Sequence, residues 1–261
     1  MSVKVTVRTI AKKHADGERL VCVTAYDVLS GSLAEAAGVD VVLVGDSLGN
    51  VILGHETTHG VELEDVVYHT HAVANGVKTA LLVADMPFGS YQSSVPSAVD
   101  AAVELVRAGA EAVKLEGTYT DEIAAIVRAG IPVMGHVGMT PQSVLAFGGH
   151  VVQGRGNDGD TILAAARRIY EAGAFAIVLE LVPAVLAARI TKELSIPTIG
   201  IGAGPECSGE IQVFHDVLGL SETVYRHTRA FVAGRGLLEA GLREYVQSVR
   251  DRKFPAEENS S

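Results

Sequence analysis

The residues best placed to do chemistry are Asp46, Asp85, Lys114, Glu116, His136 and Glu180. Asp46 follows Val41-Val42-Leu43-Val44-Gly45, and Asp85 follows Leu81-Leu82-Val83-Ala84. Glu116 closes Ala112-Val113-Lys114-Leu115, His136 closes Val133-Met134-Gly135, and Glu180 closes Ala176-Ile177-Val178-Leu179. A run that is apolar at nearly every position reads as a strand buried on both faces, the kind found in parallel sheets. An ionised carboxylate at the end of such a strand is costly unless something compensates it. Asp46, Asp85 and Glu116 end consecutive strands, and carboxylates brought that close repel one another. A hard divalent cation resolves the repulsion; an all-oxygen donor set points to Mg²⁺, with Mn²⁺ as the alternative. Each acid taken singly reads equally well as a loop cap or an ion-pair partner. The three together favour the cation.

Lys114 lies two residues before Glu116, so on a strand both side chains point to the same side. It could bind a carboxylate or phosphate of a substrate, or form a Schiff base with a carbonyl. Glu180 is followed by Leu181-Val182-Pro183. Those apolar surroundings suit a carboxylate acting as a base; the other reading is an acid that orients Lys114 or His136. His136 lies between Gly135 and Val137-Gly138, glycines that leave room for a ligand; it reads equally as a hydrogen-bonded barrel histidine. His55-Glu56-Thr57-Thr58-His59 has the H-E-x-x-H spacing of zinc proteases, which works only on a helix. Here Gly54 and Gly60 bracket it, so zinc chemistry is set aside. His69 and His71 cannot share a helix face and read as solvated. Gly200, Gly202 and Gly204 miss the dinucleotide spacing and read as close backbone approach, or as a seat for an anion.

The elements that must position these residues alternate strand and helix. After a short N-terminal helix over 5–14, strands are expected at 20–25, 41–44, 81–84, 112–115, 133–135, 175–179 and 198–201. The eighth is placed at Val213–Leu218, the only apolar run left before the C-terminal helices. Ala37-Gly38, Ala108-Gly109, Ala129-Gly130 and Ala172-Gly173 each precede a strand, as glycine after a helix end would. Leu63, Val66, Val67, Thr70 and Val73 share a helix face, as do Val99, Ala102, Val103 and Val106, where Ser94 is an N-cap and Pro96 sits in the first turn. Alternating elements imply a parallel sheet with helices outside. An open doubly wound sheet collects its site at one switch point, whereas a barrel gathers every strand end at one mouth. Chemistry-bearing residues on five strand ends therefore favour a (β/α)8 barrel, one domain over 1–254, with extra C-terminal helices and a polar, disordered tail over 255–261. The connections over 47–61 and 137–159 are long and belong to the mouth.

The totals bound the partners. A net charge of −10 argues against nucleic acid, and the 5% aromatic content with no Trp argues against stacking on single strands. Cys22 reads as a core residue and Cys207 as a loop residue, too few for a thiolate metal site. The first 17 residues show no apolar signal region, and no apolar run approaches about 18 residues, so a cytoplasmic protein without a membrane segment is expected.

The sequence also resembles a known family, ketopantoate (3-methyl-2-oxobutanoate) hydroxymethyltransferase. The resemblance rests on Val23-Thr24-Ala25-Tyr26-Asp27, Leu43-Val44-Gly45-Asp46-Ser47-Leu48-Gly49 and Ala84-Asp85-Met86-Pro87-Phe88-Gly89-Ser90-Tyr91. It continues in Val113-Lys114-Leu115-Glu116-Gly117, Gly135-His136-Val137-Gly138-Met139-Thr140-Pro141-Gln142-Ser143, Val152-Gln153-Gly154-Arg155-Gly156 and Ile199-Gly200-Ile201-Gly202-Ala203-Gly204. The family implies a (β/α)8 barrel with Mg²⁺. Its reaction moves a one-carbon unit from 5,10-methylenetetrahydrofolate to 3-methyl-2-oxobutanoate through an enolate, giving ketopantoate for pantothenate biosynthesis. By resemblance, Asp46, Asp85 and Glu116 are the metal-site acids. Asp46, Ser47, Asp85 and Lys114 meet the keto acid, which makes Lys114 a carboxylate binder, and Glu180 is the proton acceptor. A homo-oligomer, often a decamer, is also implied. The chain departs from the family pattern at His59-Gly60-Val61-Glu62, Thr118, Ser208-Gly209-Glu210 and the region Ser221–His227, none of them a predicted catalytic residue. The rival readings are another Mg²⁺-dependent keto-acid lyase on the same barrel, or an inactive barrel serving as a binding subunit.

Overall fold

The computed structural model describes residues 3–156 and 158–260. Its centre is a closed barrel of eight parallel strands in sequential order, β1 Leu20–Thr24, β2 Val41–Val44, β3 Leu81–Asp85, β4 Ala112–Lys114, β5 Val133–Gly138, β6 Ala176–Glu180, β7 Thr198–Ile201 and β8 Gly209–Gln212. The barrel expected from the sequence is therefore present, and the open-sheet alternative is not. Around it run α1 Val7–Ala15, α2 Val28–Ala37, the short α3 Leu48–Val51, α4 Leu63–Gly76, α5 Val95–Arg107, α6 Thr120–Arg128, the short α7 Val144–Phe147, α8 Asp158–Glu171 and α9 Ala184–Glu193.

Local sequence explains the ends of these helices. The Asp27 side chain caps α2 by accepting from Ser30 N–H, and Ser94 caps α5 in the same way, with Pro96 in the first turn. Gly38, Gly109, Gly130 and Gly173 all take positive φ at the helix-to-strand turns, as their Ala-Gly pattern anticipates. Inside the barrel, Leu20, Cys22, Val41, Leu43, Leu81, Val83, Met134, Val178, Ile199 and Ile211 form the core. Ile10 of α1 joins that core beside the first residues of β1, β2 and β3, so α1 closes the amino-terminal end of the barrel. Backbone bonding from Val5 N–H to Thr79 O fixes the segment ahead of α1 there. With that end filled, the carboxyl end remains for chemistry, as in other barrels of this type.

The eighth strand lies four residues earlier than expected. Gly209-Glu210-Ile211-Gln212 alternates buried and half-buried positions, and only Ile211 brings a large apolar side chain inward. The apolar stretch chosen from the sequence, Val213–Leu218, contains instead the helical turn α10 Phe214–Val217. Gly209 is what permits closure: a Cβ there would lie 2.5 Å from Leu20 O on β1.

By contacts the chain divides into two compact units, Met1–Val213, which holds the barrel, and Phe214–Ser261. The second unit contains α10, the long α11 Gly234–Arg250 and a 3-10 turn at Glu257–Asn259. Among the described residues, no helix is long and apolar enough to cross a membrane.

Candidate active site

Strand register brings the first pair of charges together. Asp85, the last residue of β3, stands directly across from Lys114, the last residue of β4. Lys114 Nζ lies 2.6 Å from Asp85 Oδ1 and 4.0 Å from Glu116 Oε1. The two-residue spacing of Lys114 and Glu116 thus does put both on the barrel side of the strand. Asp46 arrives one turn after β2. Its backbone N–H donates to Asp85 Oδ2 at 3.0 Å. Gly45 makes that approach possible, because a Cβ there would lie 2.7 Å from Ser47 Oγ and 3.5 Å from Asp85 Oδ2. Ser47 is held by Tyr26, whose hydroxyl lies 2.8 Å from Ser47 Oγ.

His136 lies within β5, which continues two residues past it to Gly138. Its Nδ1 is 3.5 Å from Glu116 Oε1, and its Nε2 is 3.4 Å from Glu180 Oε2. The ring therefore sits between Glu116, the predicted metal-site acid, and Glu180, the predicted base. The glycines around it do not leave room for a ligand, as the sequence suggested. A Cβ on Gly135 would lie 2.4 Å from Ile169 Cγ2 of α8, and one on Gly138 would lie 2.2 Å from Glu180 O. The space is filled by the protein, which lets β5 press against α8 and β6. Glu180 is reached from the open side: its side chain retains 17% exposure, against 2% for Glu116. The next residue, Leu181, takes φ 46°, a left-handed conformation unusual for a branched side chain. Its N–H donates to Ile201 O, and Met139 N–H donates to Glu180 O, so neighbouring strands hold this turn.

The electrostatics follow from burial. Asp46, Asp85, Lys114, Glu116 and His136 are all buried. Burial first, then repulsion from Asp85 and Glu116, pushes the Asp46 carboxyl up to about 8. Burial also raises Asp85, although Lys114 works against it. Burial opposes the charge on Lys114, but attraction to Asp85, Glu116 and Asp46 outweighs it and holds the ammonium above its usual range. Glu116 is held below its usual value despite burial, by His136 and Lys114. Burial and Lys114 would neutralise His136, yet its contacts with Glu116 and Glu180 push it up to about 9. Its Nδ1 lies 3.5 Å from Lys114 Nζ.

Buried carboxylates whose ionisation is opposed by burial and by one another suit a hard cation. Among the described residues, no group of three or more His, Cys, Asp or Glu side chains is arranged as a ready metal cage. Mg²⁺ does not demand one, since it is commonly bound through one or two carboxylates with water and substrate completing the shell. The donor chemistry of Asp46, Asp85 and Glu116 fits on those terms.

The sequence missed Gln142, which lies at the middle of this cluster. Its side chain reaches Asp46 and its backbone N–H reaches Glu116. It sits inside the Met139-Thr140-Pro141-Gln142-Ser143 stretch, but no residue type or spacing there signals a role. His59 also proves relevant, in a manner unrelated to zinc: it sits on a 3-10 turn, Thr58–Gly60, and its Nε2 lies 2.9 Å from Gln142 O. His69 is half-buried and hydrogen-bonded to Tyr26 O rather than solvated. Gly204 does mark a close approach, since a Cβ there would lie 2.5 Å from Ala184 Cβ of α9. Cys22 and Cys207 are both free and buried.

Comparison with known proteins decides the family. The pattern described as ketopantoate hydroxymethyltransferase matches residues 4–257. The chain belongs to the ketopantoate hydroxymethyltransferase family. It is 49% identical over 258 residues to the 3-methyl-2-oxobutanoate hydroxymethyltransferase of Ignicoccus hospitalis, covering 97% of this chain and 98% of that one. It is 48% identical over 260 residues to the protein of the same name from Thiobacillus denitrificans, covering 98% and 99%. The barrel is also similar to that of a phosphonopyruvate hydrolase solved with oxalate and Mg²⁺, with a TM-score of 0.64 at 15% identity over 97% of this chain and 92% of that one. At that identity the likeness is one of fold.

Proposed function

We propose that this member of the family transfers a hydroxymethyl group from 5,10-methylenetetrahydrofolate to 3-methyl-2-oxobutanoate, giving 2-dehydropantoate (ketopantoate) for pantothenate and coenzyme A biosynthesis. The observation that carries the reading is the convergence, in one barrel mouth, of Asp46, Asp85, Lys114 and Glu116 with Glu180 on the open side. Mg²⁺, with Mn²⁺ as the alternative, would be held by oxygens of Asp46, Asp85 and Glu116. When bound, it would polarise the keto oxygen and offset the negative charge that develops there.

The chain's own residues supply the rest. Lys114 is the buried cation facing the substrate carboxylate. Ser47, braced by the Tyr26 hydroxyl, offers that carboxylate a hydrogen bond. Asp46 and Asp85 only accept, as do the keto acid's oxygens, so they would meet its remaining polar edge by way of the cation they hold. Glu180 accepts the proton from carbon 3, with His136 Nε2 beside it at 3.4 Å. Carbon 3 then forms its bond to the one-carbon unit of the folate, and water supplies the hydroxyl as tetrahydrofolate leaves. No electrons are exchanged with a redox cofactor.

The protein is further proposed to act as a homo-oligomer in the cytoplasm. Val28, Leu29 and Leu33 of α2 are exposed, as apolar residues at a subunit contact would be in an isolated chain. The direct test supplies purified protein with the keto acid, 5,10-methylenetetrahydrofolate and Mg²⁺, and detects ketopantoate by mass spectrometry. Folded protein that forms none overturns the reading.

A further inference from the structure

Gln142 is buried on the 3-10 turn Pro141–Ser143, at the start of the long connection after β5. Its side-chain amide uses all of its hydrogen-bonding capacity. Nε2 donates to Asp46 Oδ2 at 2.9 Å and to Met86 O at 3.0 Å. Oε1 accepts from the Tyr91 hydroxyl at 2.7 Å and from Gln92 Nε2 at 3.0 Å. Met86 O can only accept, so the nitrogen must face Asp46 and the amide cannot be turned around. The backbone of the same residue adds two contacts. Its N–H donates to Glu116 Oε2 at 2.9 Å, and its carbonyl accepts from His59 Nε2 at 2.9 Å. The Tyr91 hydroxyl in turn accepts from Glu116 N–H at 3.1 Å.

One residue therefore touches two of the three acids from different strands, and it is braced by the loops after β2 and β3. We infer that Gln142 is a positioning residue: its amide and backbone N–H set the separation and orientation of Asp46 and Glu116, and Tyr91 and His59 hold it to that task. The inference rests on the reading of this mouth as the cation and keto-acid site. It explains a feature of the acids that burial alone does not. Two carboxylates that repel each other would otherwise swing apart, and a neutral donor shared between them keeps both aimed inward without neutralising either. A neutral amide suits this task better than a second lysine would. It leaves the summed negative charge intact for a divalent ion, and its planar fork fixes direction as well as distance.

Gln142→Met keeps the length and volume of the side chain and removes both donor and acceptor. Tyr91→Phe leaves Gln142 in place and removes one of its braces. The readouts are Mn²⁺ affinity by electron paramagnetic resonance in the absence of keto acid, the KM and kcat of carbon-3 proton exchange, and the thermal midpoint. A hydrogen bond to a charged group corresponds to about 10-fold or more in affinity. Gln142→Met is expected to weaken Mn²⁺ by at least that factor and to raise KM for the keto acid. Tyr91→Phe is expected to shift both in the same direction by roughly 2- to 10-fold. A purely structural role would lower the midpoint or the yield and leave affinity and KM of the folded protein unchanged. Parental Mn²⁺ affinity and KM in Gln142→Met overturn the inference alone. If that variant does not fold, parental values in Tyr91→Phe overturn it. Failure of the parent protein to bind Mn²⁺ overturns the reading of the site and the inference with it.

Discussion

Replacing Lys114 with methionine isolates the electrostatics of the barrel mouth. The ammonium is the closest counter-charge to Asp85, at 2.6 Å, and lies 4.0 Å from Glu116. Both acids are almost fully buried, so neither gains water when the lysine is removed. Removing one partner of such a pair costs about 3–5 kcal/mol, because the remaining charge is left uncompensated. For a chain of this size each kcal/mol lowers the melting temperature by about 2–4 °C, so the expected loss is roughly 6–20 °C. The loss depends on pH, and the sign can be worked out. Burial already raises Asp85, and Lys114 is what opposes that rise. Without the lysine the carboxyl moves further up, and the folded variant holds a proton that the unfolded chain releases in the ordinary carboxylate range. Stability is then retained at low pH and lost as pH rises through the folded value. Lys114 itself stays charged in both states between pH 5 and 8 and adds no slope there. Lys114→Met should therefore melt close to the parent at pH 5 and well below it at pH 8, in differential scanning calorimetry without divalent cation. Keto-acid affinity should fall about 10- to 150-fold, the equivalent of one charged hydrogen bond. An equal melting shift at both pH values, or a shift under about 2 °C at pH 8, would refute this account of the mouth.

Gly138→Ala should lose about 2–5 kcal/mol, from a side chain forced into φ 98° and from a Cβ 2.2 Å from Glu180 O. Its carbon-3 exchange should fall by around 100-fold because the base is displaced; parental melting and exchange would contradict this. In the absence of divalent cation, the parent should lose stability from pH 5 to 9. Asp46 at about 8 and His136 at about 9 both lie above their ordinary values, so the folded state holds protons the unfolded chain has shed. Mg²⁺ should raise the melting temperature most at the alkaline end, and a flat profile with no such effect in calorimetry would count against the site. Tyr26→Phe removes the brace on Ser47 and should raise KM for the keto acid about 2- to 10-fold with little change in kcat; a selective loss of kcat would place Ser47 in the chemistry instead.

Much of this arrangement was legible in the sequence because buried parallel strands are written as unbroken apolar runs. Val41–Val44 and Leu81–Ala84 are short, β-branched or leucine-rich runs that read as buried strands, and the acid that follows each stands out against them. Spacing was equally informative for Lys114 and Glu116, since a strand has a fixed two-residue repeat. The eighth strand lacked that signal. Gly209-Glu210-Ile211-Gln212 closes the seam through a glycine and one isoleucine, while the more apolar Val213–Leu218 contains a helical turn. The glycines beside His136 misled for a related reason: an absent side chain records a close approach, not what approaches. Here it is Ile169 and the carbonyl of Glu180. Gln142 was invisible because half of its work is done by a backbone N–H, which every residue except proline carries.

Glu180 is proposed to accept the carbon-3 proton in a mouth formed by Asp46, Asp85, Lys114 and Glu116. Proton magnetic resonance of 3-methyl-2-oxobutanoate in deuterated water, with protein and Mg²⁺ and without folate, reads that step. The parent should wash out the carbon-3 proton signal, and Glu180→Gln should bind the keto acid yet leave that signal intact. Absence of washout by the parent, or washout by Glu180→Gln at the parental rate, would contradict the account.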